Sequence, residues 1–464
     1  MRDTALICVS HGFHVRNIVY SRLFEHLAAQ MDVVLVLPAG VHVPPSDLPL
    51  FRGAAIASIS ICRHRLEALF LFLRKNVFAG RERTQTFNLI SENERGKHPL
   101  LYRVAGACNA IFGRMPAVGR WWQKVEARFI PGTEFDGLIA ERRPRFVLTA
   151  NYGTEAFEVR LLRSAHRHSI PTLAVIPSWD NLSSKGVIGE NPRHLAVWNR
   201  IMRDEAISLY GFVDSALHVC GGLQFDLYAT AQTEGQRTEV FDRLGIDPAL
   251  PFVVIGTITP RYFANNIEIV DIVNAAVTAG RLPADLQIVV RLHPQVVDDP
   301  HFGDNLDAYR ERAVAHQRIK LSIPRVLRWG AITPPARDDG PELMTLLQAA
   351  AASVMPASTL AIDACALGCP VIGIGFDGHH AKPYEQSVRR TFDFTHYRRL
   401  VAEGGLRIAE SADQLIAELS AYLRDRERDA EGRARIVRSH LGPVDGLSWR
   451  RIRDVLGLLN GEAA

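Results

Sequence analysis

The chain has 464 residues, of which 47% are hydrophobic and 22% charged, and its formal net charge is +4. This length is enough for two or three domains, and the composition is that of a folded soluble protein. The small positive charge favours anionic partners such as nucleotides or an acidic membrane surface only weakly, and we expect no nucleic-acid partner. No uninterrupted apolar run reaches the ~18 residues that a membrane-spanning helix needs.

The cysteines and the N-terminus indicate a cytoplasmic protein. The six cysteines are scattered through apolar contexts without a CxxC pair, which argues against a zinc cluster and favours buried, reduced thiols. Residues 1–3 lead straight into a short apolar run, so the sequence shows no signal-peptide pattern.

The first forty residues predict the opening of a doubly wound domain. Residues 4–10 form an apolar run typical of a buried strand, residues 19–30 an amphipathic helix, and residues 32–37 a second strand. The stretch 11–17 between them predicts a loop. It contains no GxGxxG, so it is not a dinucleotide-binding fingerprint.

Three polar residues in this loop are candidate site residues. His11 stands at the carboxyl end of the first strand, where such sheets bind ligands. A structural hydrogen bond and a catalytic role both fit a histidine there. Arg16 and Asn17 either bind an acceptor or cap the following helix.

Two more predicted strands end in candidate carboxylates. Residues 145–150 lead to Glu155, which begins a helix and suits either catalysis or the helix dipole. Residues 171–177 run into the polar loop SWDNLSSKG, residues 178–186, in which Asp180 is a further candidate base. This loop fits either an Asx-turn with a packed tryptophan or a binding loop. We assign Trp179, Asn181 and Lys185 in it to acceptor binding.

Residues 63–130 break the strand-and-helix alternation and predict a helical insertion. Apolar stretches are flanked there by Arg and Lys, and Trp121-Trp122 stand between Arg120 and Lys124. Helices of this kind either lie in a membrane interface or pack against the first sheet, and the sequence leaves both interpretations open.

A second domain is predicted from residue 251. Residues 251–256 form its first strand, followed by Thr257 and Thr259 in a loop. Residues 287–292 form another strand that ends at His293-Pro294, where Arg291 and His293 offer hydrogen-bond donors to a phosphate. A further strand is predicted at 330–332.

Residues 349–376 predict a strand, a helix and a strand in close succession. Ser358 or Thr359 fits the N-cap of the helix, which contains Asp363 and ends at Gly368. A helix start beyond the carboxyl end of a parallel sheet is a favourable anion site, and the two hydroxyls add donors. An ordinary capped crossover has the same pattern.

Several segments resemble one bacterial protein group in order. SWDNLSSKG, HLAVWN, GGLQFD, GTITP, RLHPQ and ASTLAIDACALGCPVIGI are similar to surface-carbohydrate glycosyltransferases of the GT-B fold. That group is similar to CDP-glycerol glycerophosphotransferases and to CMP-sugar transferases that carry an HP motif and an ST motif. The likeness covers roughly residues 149–375. GGLQFD departs from the G-x-P-Q-F-D often found there, and the insertion has no counterpart.

The resemblance implies an α/β fold of two Rossmann-like doubly wound domains facing across a cleft, with the helical insertion in the first. We assign residues 1–220 to an acceptor domain, 221–250 to a linker and 251–440 to a nucleotide-sugar donor domain. The last helix, within 441–464, is expected to return to the first domain.

The implied activity is metal-independent and inverting in stereochemistry, and it transfers a sugar from a UDP-, CMP- or other nucleotide donor to a glycan or lipid-linked acceptor. No cofactor is expected. The expected location is cytoplasmic, with the inner face of the membrane as a possible site. The expected donor-binding residues are Thr257, Thr259, Arg291, His293, Pro294, Ser358, Thr359 and Asp363, and the candidate bases are His11, Asp180 and Glu155. A glycerophosphotransferase, a sugar-nucleotide epimerase and a non-catalytic binding protein are the alternatives, and the oligomeric state stays open.

Overall fold

The computed structural model of the chain describes residues 2–77, 84–112, 116–185, 188–230, 232–260, 262–298 and 306–462. These residues form two compact units, each built on a parallel β-sheet with helices, which confirms the predicted fold class. The first unit takes the described residues up to Asp226, the segment Leu327–Pro335 and those from Gly442 onward. The second takes Leu227–Val326 and Ala336–Leu441.

Seven strands within the described residues form the sheet of the first unit: β1 (Thr4–Cys8), β2 (Asp32–Pro38), β3 (Ala55–Ile59), β4 (Phe146–Thr149), β5 (Thr172–Val175), β6 (His194–Val197) and β7 (Leu217–Val219). Their order is β3-β2-β1-β4-β5-β6-β7, and every neighbouring pair is parallel. The order reverses between β1 and β4, so the crevice beyond their carboxyl ends is the place where such a sheet binds ligands.

The sheet of the second unit has six strands within the described residues: β8 (Phe252–Gly256), β9 (Gln287–Arg291), β10 (Ile319–Ser322), β11 (Ala352–Met355), β12 (Val371–Ile374) and β13 (Leu406–Ala409). Their order is β10-β9-β8-β11-β12-β13, again with parallel pairs throughout. Here the order reverses between β8 and β11. The loops after β8, β9 and β11 therefore end close together at one edge of the sheet.

The helices of the first unit within the described residues are α1 (Gly12–His14), α2 (Arg22–Gln30), α3 (Glu67–Asn76), α4 (Gln85–Lys97), α5 (Pro99–Phe112), α6 (Pro116–Phe129), α7 (Asp136–Arg142), α8 (Ala156–Arg167), α9 (Asn181–Ser184), α10 (Arg200–Tyr210) and α20 (Ser448–Glu462). Those of the second unit are α11 (Glu234–Leu244), α12 (Asn266–Thr278), α13 (Pro294–Asp298), α14 (Leu306–Ala315), α15 (Asp339–Ala349), α16 (Leu360–Ala366), α17 (Thr395–Ala402), α18 (Ala412–Arg424) and α19 (Ala430–Ile436). Helices α3 to α6 make up the insertion between β3 and β4. No helix in the described part of the chain is long and apolar enough to cross a bilayer.

Strand β1 shows why the first sheet is covered on both faces. Its side chains point alternately to opposite sides, so Ala5 and Ile7 join one apolar core while Leu6 and Cys8 join another. All four residues are buried. Polar groups therefore have room only at the strand ends, where the candidate site residues lie.

The stretch 11–17, predicted as a loop, is helical instead. Helix α1 follows β1 almost directly and continues into a π-helical turn, Val15–Val19. Val15, Ile18 and Val19 are buried at helical spacing, which stabilises the turn although polar residues surround them in sequence. A Cβ on Gly12 would lie 2.4 Å from the carbonyl oxygen of Thr333, so the close approach of these backbones requires glycine.

The strand predicted at 330–332 is wrong, because this segment makes only an isolated bridge between Gly330 and Val41. Gly330 has a φ of +74°, and the backbone N–H of Trp329 donates to the carbonyl of Ile332, so the chain turns back on itself. The buried indole of Trp329 donates to Asp47 at 2.7 Å. This contact fixes the segment Leu327–Pro335 in the first unit.

Helix α20 is held to the first unit by the aspartate of the GGLQFD motif. The carboxylate of Asp226 accepts hydrogen bonds from the backbone N–H groups of Ser448 and Trp449, each at 2.9 Å. These are donors of the first helical turn, which lack partners inside the helix. Further along the helix, Ile452 and Leu459 are buried in the core of this unit.

We expect Asp226→Ala to lower the stability of the first unit by about 1 kcal/mol, the usual effect of losing a helix N-terminal acceptor. Calorimetric unfolding would measure the change as a lower Tm. Asp242→Ala, at an exposed position, is the matched control and should leave Tm nearly unchanged. Equal Tm values for both variants would contradict a stabilising role for Asp226.

Candidate functional site

The first candidate cluster lies beyond the carboxyl ends of β1, β4 and β5. His11 and His14 follow β1, Glu155 and Glu158 stand at the start of α8, and Asp180 follows β5. The structure thus brings the three predicted bases to one edge of the sheet. It adds His14 and Glu158, which were not among the predicted site residues.

His14 and Glu158 form a buried group with Ser10. The backbone N–H of Ser10 donates to Nδ1 of His14 at 3.2 Å, and the Ser10 hydroxyl donates to Oε1 of Glu158. Burial and the charge of His11 lower the pKa of His14 to about 3, so its ring is neutral at pH 7. With Nδ1 as the acceptor, the ring proton is on Nε2.

Glu158 is the most unusual carboxyl group of this cluster. Its side chain is 0% exposed, and burial raises its pKa to about 7. Oε2 is buried without a hydrogen-bond partner among the described residues. A signal for it exists in the sequence, because Glu158 shares helical spacing with the buried Leu161 and Ala165, and an acid on an apolar helix face is rare.

His11 stays accessible, and its surroundings keep it neutral. Partial burial and the positive charge of Lys185 lower the pKa of His11, while the negative charge of Glu155 opposes the shift. Its ring stacks on Phe13 with centroids 5.3 Å apart. Glu155 is exposed at the N-cap position of α8, where its side chain makes no capping hydrogen bond.

Asp180 is bound within its own loop. Oδ1 accepts from the Ser178 hydroxyl and Oδ2 from the Ser184 hydroxyl, the latter at 2.9 Å. The side chain of Asn181 accepts from the Ser178 N–H at 3.1 Å. This bond runs back by three residues and closes the loop, so it is not the predicted Asx-turn, in which the side chain accepts from the N–H two residues further on. Trp179 is buried in the same loop. The last residue of the predicted loop, Gly186, lies outside the described residues.

The predicted acceptor-binding residues divide into two kinds. Asn17 is buried and donates to the carbonyl of Pro177 at 3.2 Å, so it ties the turn after β1 to the loop after β5. Asn181 and Trp179 likewise shape that loop. Arg16 and Lys185 are exposed cations, and Arg16 lies 5.3 Å over the Phe13 ring.

The second candidate cluster lies beyond the carboxyl ends of β8, β9 and β11. The hydroxyl of Thr257 accepts from the backbone N–H of His293 at 2.8 Å and so joins the first two loops. Nδ1 of His293 accepts from the N–H of Gln295 at 3.2 Å. Burial and the charge of Arg291 lower the pKa of His293 to about 4. His293 is therefore neutral with its proton on Nε2, a hydrogen-bond donor.

Arg291 is committed to a buried ion pair. Its guanidinium donates to both oxygens of Asp339 at 2.6 and 2.7 Å, to Glu342 at 3.3 Å and to the Ser322 hydroxyl at 3.0 Å. Two carboxylates thus neutralise its charge. The arrangement makes Arg291 a positioning residue for the adjoining His293 loop.

The loop after β11 presents a hydroxyl pair. Ser358 Oγ accepts from the Leu360 N–H at 3.2 Å, and the Ser358 N–H donates to the Tyr397 hydroxyl at 3.1 Å. Thr359 occupies the N-cap position but its side chain makes no capping bond, and it is exposed. Asp363 accepts from the Tyr228 hydroxyl at 2.8 Å, which anchors the helix.

The remaining predicted donor-binding residues shape the backbone. Thr259 accepts the backbone N–H groups of Tyr262 and Phe263 at its carbonyl, and Pro294 is the first residue of α13. A Cβ on Gly256 would lie 2.4 Å from Leu360, so glycine at the end of β8 lets α16 approach the sheet closely.

Solved structures share this fold over nearly the whole chain. A putative UDP-N-acetylglucosamine 2-epimerase from Listeria monocytogenes matches with a TM-score of 0.56 and 13% identity, covering 98% of this chain and 96% of that chain. A UDP-GlcNAc 2-epimerase from Neisseria meningitidis, bound to UDP-GlcNAc, gives 0.53 and 10%, with coverages of 98% and 100%. A glycosyltransferase from Rickettsia africae gives 0.52 and 8%, with coverages of 99% and 98%.

No protein-family model matches the sequence, and no curated protein sequence matches it. At these identities the structural likeness carries the fold and nothing finer. It confirms the predicted pair of Rossmann-like domains of the GT-B type.

The pKa of Glu158 gives a pH test of the first cluster. The pKa of the Glu158 carboxyl is about 7 in the folded chain and near 4.5 in the unfolded chain. The free energy of unfolding therefore falls as pH rises from 4.5 to 7, because the unfolded chain gives up this proton more readily. Glu158→Gln removes that dependence. We expect Tm of the variant, relative to wild type, to be several degrees higher at pH 8 than at pH 5.

Differential scanning calorimetry at both pH values makes this comparison. Glu141→Gln is the matched control, because Glu141 is exposed on helix α7 of the same unit, and its Tm offset from wild type should vary far less with pH. A pH-independent offset for Glu158→Gln would show that the carboxyl is not protonated in the folded state at pH 5.

Proposed function

We propose that the chain is a glycosyltransferase that moves a sugar from a nucleotide-activated donor to a glycan or lipid-linked acceptor in surface polysaccharide biosynthesis. The observation that carries the proposal is the neutral His293, held by Thr257 at the edge of a GT-B sheet with a proton on Nε2. Solved neighbours titled as UDP-GlcNAc enzymes and as a glycosyltransferase support a nucleotide-sugar ligand.

On the donor side, fixed hydrogen-bond donors stabilise the negative charge that develops on the leaving phosphate. His293 Nε2–H and the hydroxyls of Ser358 and Thr359 are the proposed donors. Arg291 acts through the His293 loop, because its guanidinium is already paired with Asp339 and Glu342. No step requires a bound metal in this mechanism.

On the acceptor side, a base must take the proton of the attacking hydroxyl. We assign His11 to this role, since it is accessible and its pKa is lowered, so that it is neutral at pH 7. Asp180 ranks lower because both its oxygens accept hydroxyl hydrogen bonds, and Glu155 is the remaining alternative. Arg16 and Lys185 would bind an anionic acceptor group such as a lipid-linked phosphate.

We also propose that the reaction takes place in the cytoplasm at the inner face of the membrane. A lipid-linked acceptor carries its reacting sugar at the membrane surface, so an enzyme for it must work there. The resemblance to surface-carbohydrate transferases supports this location. The proposal of a location goes further than the finding that no described helix can span a bilayer.

Nucleotide binding tests the donor side. We expect UDP, CDP or CMP to bind in EDTA, and His293→Ala and Thr359→Ala each to weaken binding by about tenfold, the loss of one hydrogen bond to a charged group. Calorimetric titration measures this. His316→Ala and Thr238→Ala, at exposed positions of the same unit, are matched controls. Binding that requires Mg²⁺ or Mn²⁺, or unchanged affinity in both variants, would contradict the assignment.

Substitution of the three candidate bases tests the acceptor side. His11→Gln should lower kcat at least ~100-fold and leave nucleotide affinity unchanged, since a general base contributes to proton transfer alone. The acid limb of the wild-type rate profile should lie below pH 6.5, because the pKa of His11 is lowered from that value. A near-normal rate for His11→Gln, with a large loss for Asp180→Asn or Glu155→Gln, would assign the role of general base to that other residue.

An epimerase is the second candidate, because the neighbours from Listeria and Neisseria carry that name. Pro356-Ala357-Ser358-Thr359 stands where such enzymes have an Asp-Ser-Gly-Gly type loop. An epimerase would isomerise UDP-GlcNAc without an acceptor, whereas a glycerophosphotransferase would consume CDP-glycerol. Product analysis with each donor, with and without acceptor, separates the three, and a protein that binds no nucleotide would be non-catalytic.

A further inference from the structure

Helix α5 carries an apolar stripe on its outer side. Leu100, Val104 and Ile111 are 74%, 57% and 62% exposed, and the exposed Ala107 lies between the last two in sequence. Their spacing of four, three and four residues places all four on one helix face. Exposed branched side chains aligned in this way form a continuous patch rather than scattered surface residues.

The opposite face of α5 packs against helix α3, another helix of the insertion. Tyr102 packs edge-to-face on Phe72 of α3 with ring centroids 5.5 Å apart, and Ala105 is buried. At about 100° per residue, Tyr102 and Ala105 lie roughly opposite the stripe. The helix is therefore held by one apolar face and presents a second one outward, which a helix at the surface of a water-soluble unit does not need.

Neighbouring helices of the insertion add apolar side chains of the same kind. Trp122 is buried against Phe70 with ring centroids 5.4 Å apart, whereas Trp121 is 57% exposed. The tryptophan pair is thus divided between inward packing, which Trp122 shows, and exposure to solvent, which Trp121 shows. Further exposed apolar residues of the insertion are Leu69, Ile90, Leu101, Phe112 and Phe129.

The insertion is also strongly basic. Residues 63–130 contain thirteen Lys and Arg against five Asp and Glu, an excess of eight positive charges, whereas the whole chain has a net charge of only +4. Glu126 pairs with buried Arg74 at 3.0 Å, which removes one of the few acids from the surface. Arg103, Lys124 and Arg128 are exposed. The side chain of Arg120, predicted to flank the tryptophans, lies outside the described residues.

We propose that the stripe of α5, defined as Leu100, Val104, Ala107 and Ile111, docks on an anionic lipid bilayer, with exposed Arg and Lys residues of the insertion on the headgroups. Charge complementarity selects this occupant, because two copies of so basic a surface would repel each other. Apolar and basic side chains together suit the boundary between headgroups and acyl chains. The helix has fourteen residues, too few to span, so it lies in the interface.

This inference deepens the proposed membrane location and rests on it, but lipid binding needs neither nucleotide nor acceptor. Its failure is therefore distinguishable from failure of the proposed glycosyl transfer. A protein that transfers sugar but does not bind vesicles would support the proposed function and contradict the proposed lipid-binding surface.

Vesicle sedimentation of the full chain tests the surface. Wild type should pellet with phosphatidylcholine vesicles containing phosphatidylglycerol at low salt, and at least tenfold less with pure phosphatidylcholine or at high salt. The stripe variant Leu100→Ser/Val104→Ser/Ile111→Ser should lower the vesicle affinity at least tenfold. The control Val213→Ser/Val314→Ser/Leu458→Ser removes three equally exposed apolar side chains elsewhere and should bind like wild type.

A second variant removes positive charges instead of apolar side chains, so it tests the proposal even if the stripe variant misfolds. Arg103→Gln/Lys124→Gln/Arg128→Gln should flatten the salt dependence of vesicle binding while Tm is retained. Equal pelleting of wild type and both variants would overturn the proposal, as would binding to neutral vesicles that salt does not affect. Light scattering that shows a dimer dissociated by the stripe substitutions, without vesicle binding, would assign the surface to a second copy instead.

Discussion

The structure depends on one constraint, which is that its central parallel strands are buried on both faces. In β1, Ala5 and Ile7 enter one core while Leu6 and Cys8 enter another, so these four side chains are all kept from water. The backbone hydrogen bonds of the ladders are satisfied inside the sheet. Titratable groups of these central strands are consequently confined to the strand ends, and both candidate clusters lie at carboxyl ends where the strand order reverses.

Desolvation at these edges sets the charge of the site residues. His14 and His293 are neutral because burial disfavours the imidazolium, and the carboxyl of Glu158 is held near pKa 7 for the same reason. Arg291 keeps its charge in a buried position only with two carboxylates around it. The clusters therefore offer neutral donors and acceptors beside fixed ion pairs, a setting suited to recognising phosphate and moving a proton.

The motifs that carry the resemblance prove in part to be structural. Asp226 of GGLQFD holds the start of α20, and Asp180 of SWDNLSSKG binds the serines of its own loop. Asn181 in the same loop accepts from the backbone N–H of Ser178 and so closes that loop. Motif residues such as these keep loops in place. Among the predicted site residues, His11, His293 and Thr359 are then the ones whose side chains are most available to a ligand.

The sequence by itself determined the fold class and most strands near the site, because apolar runs, caps and turn residues act over short distances. Only the tertiary structure decided the helical turn after β1, the assignment of Leu327–Pro335 to the first unit and the burial of Glu158. Each depends on contacts between residues far apart, such as the bond from Trp329 to Asp47 across 282 positions. Local pattern cannot report such contacts, since burial and pKa follow from what the rest of the chain places around a side chain.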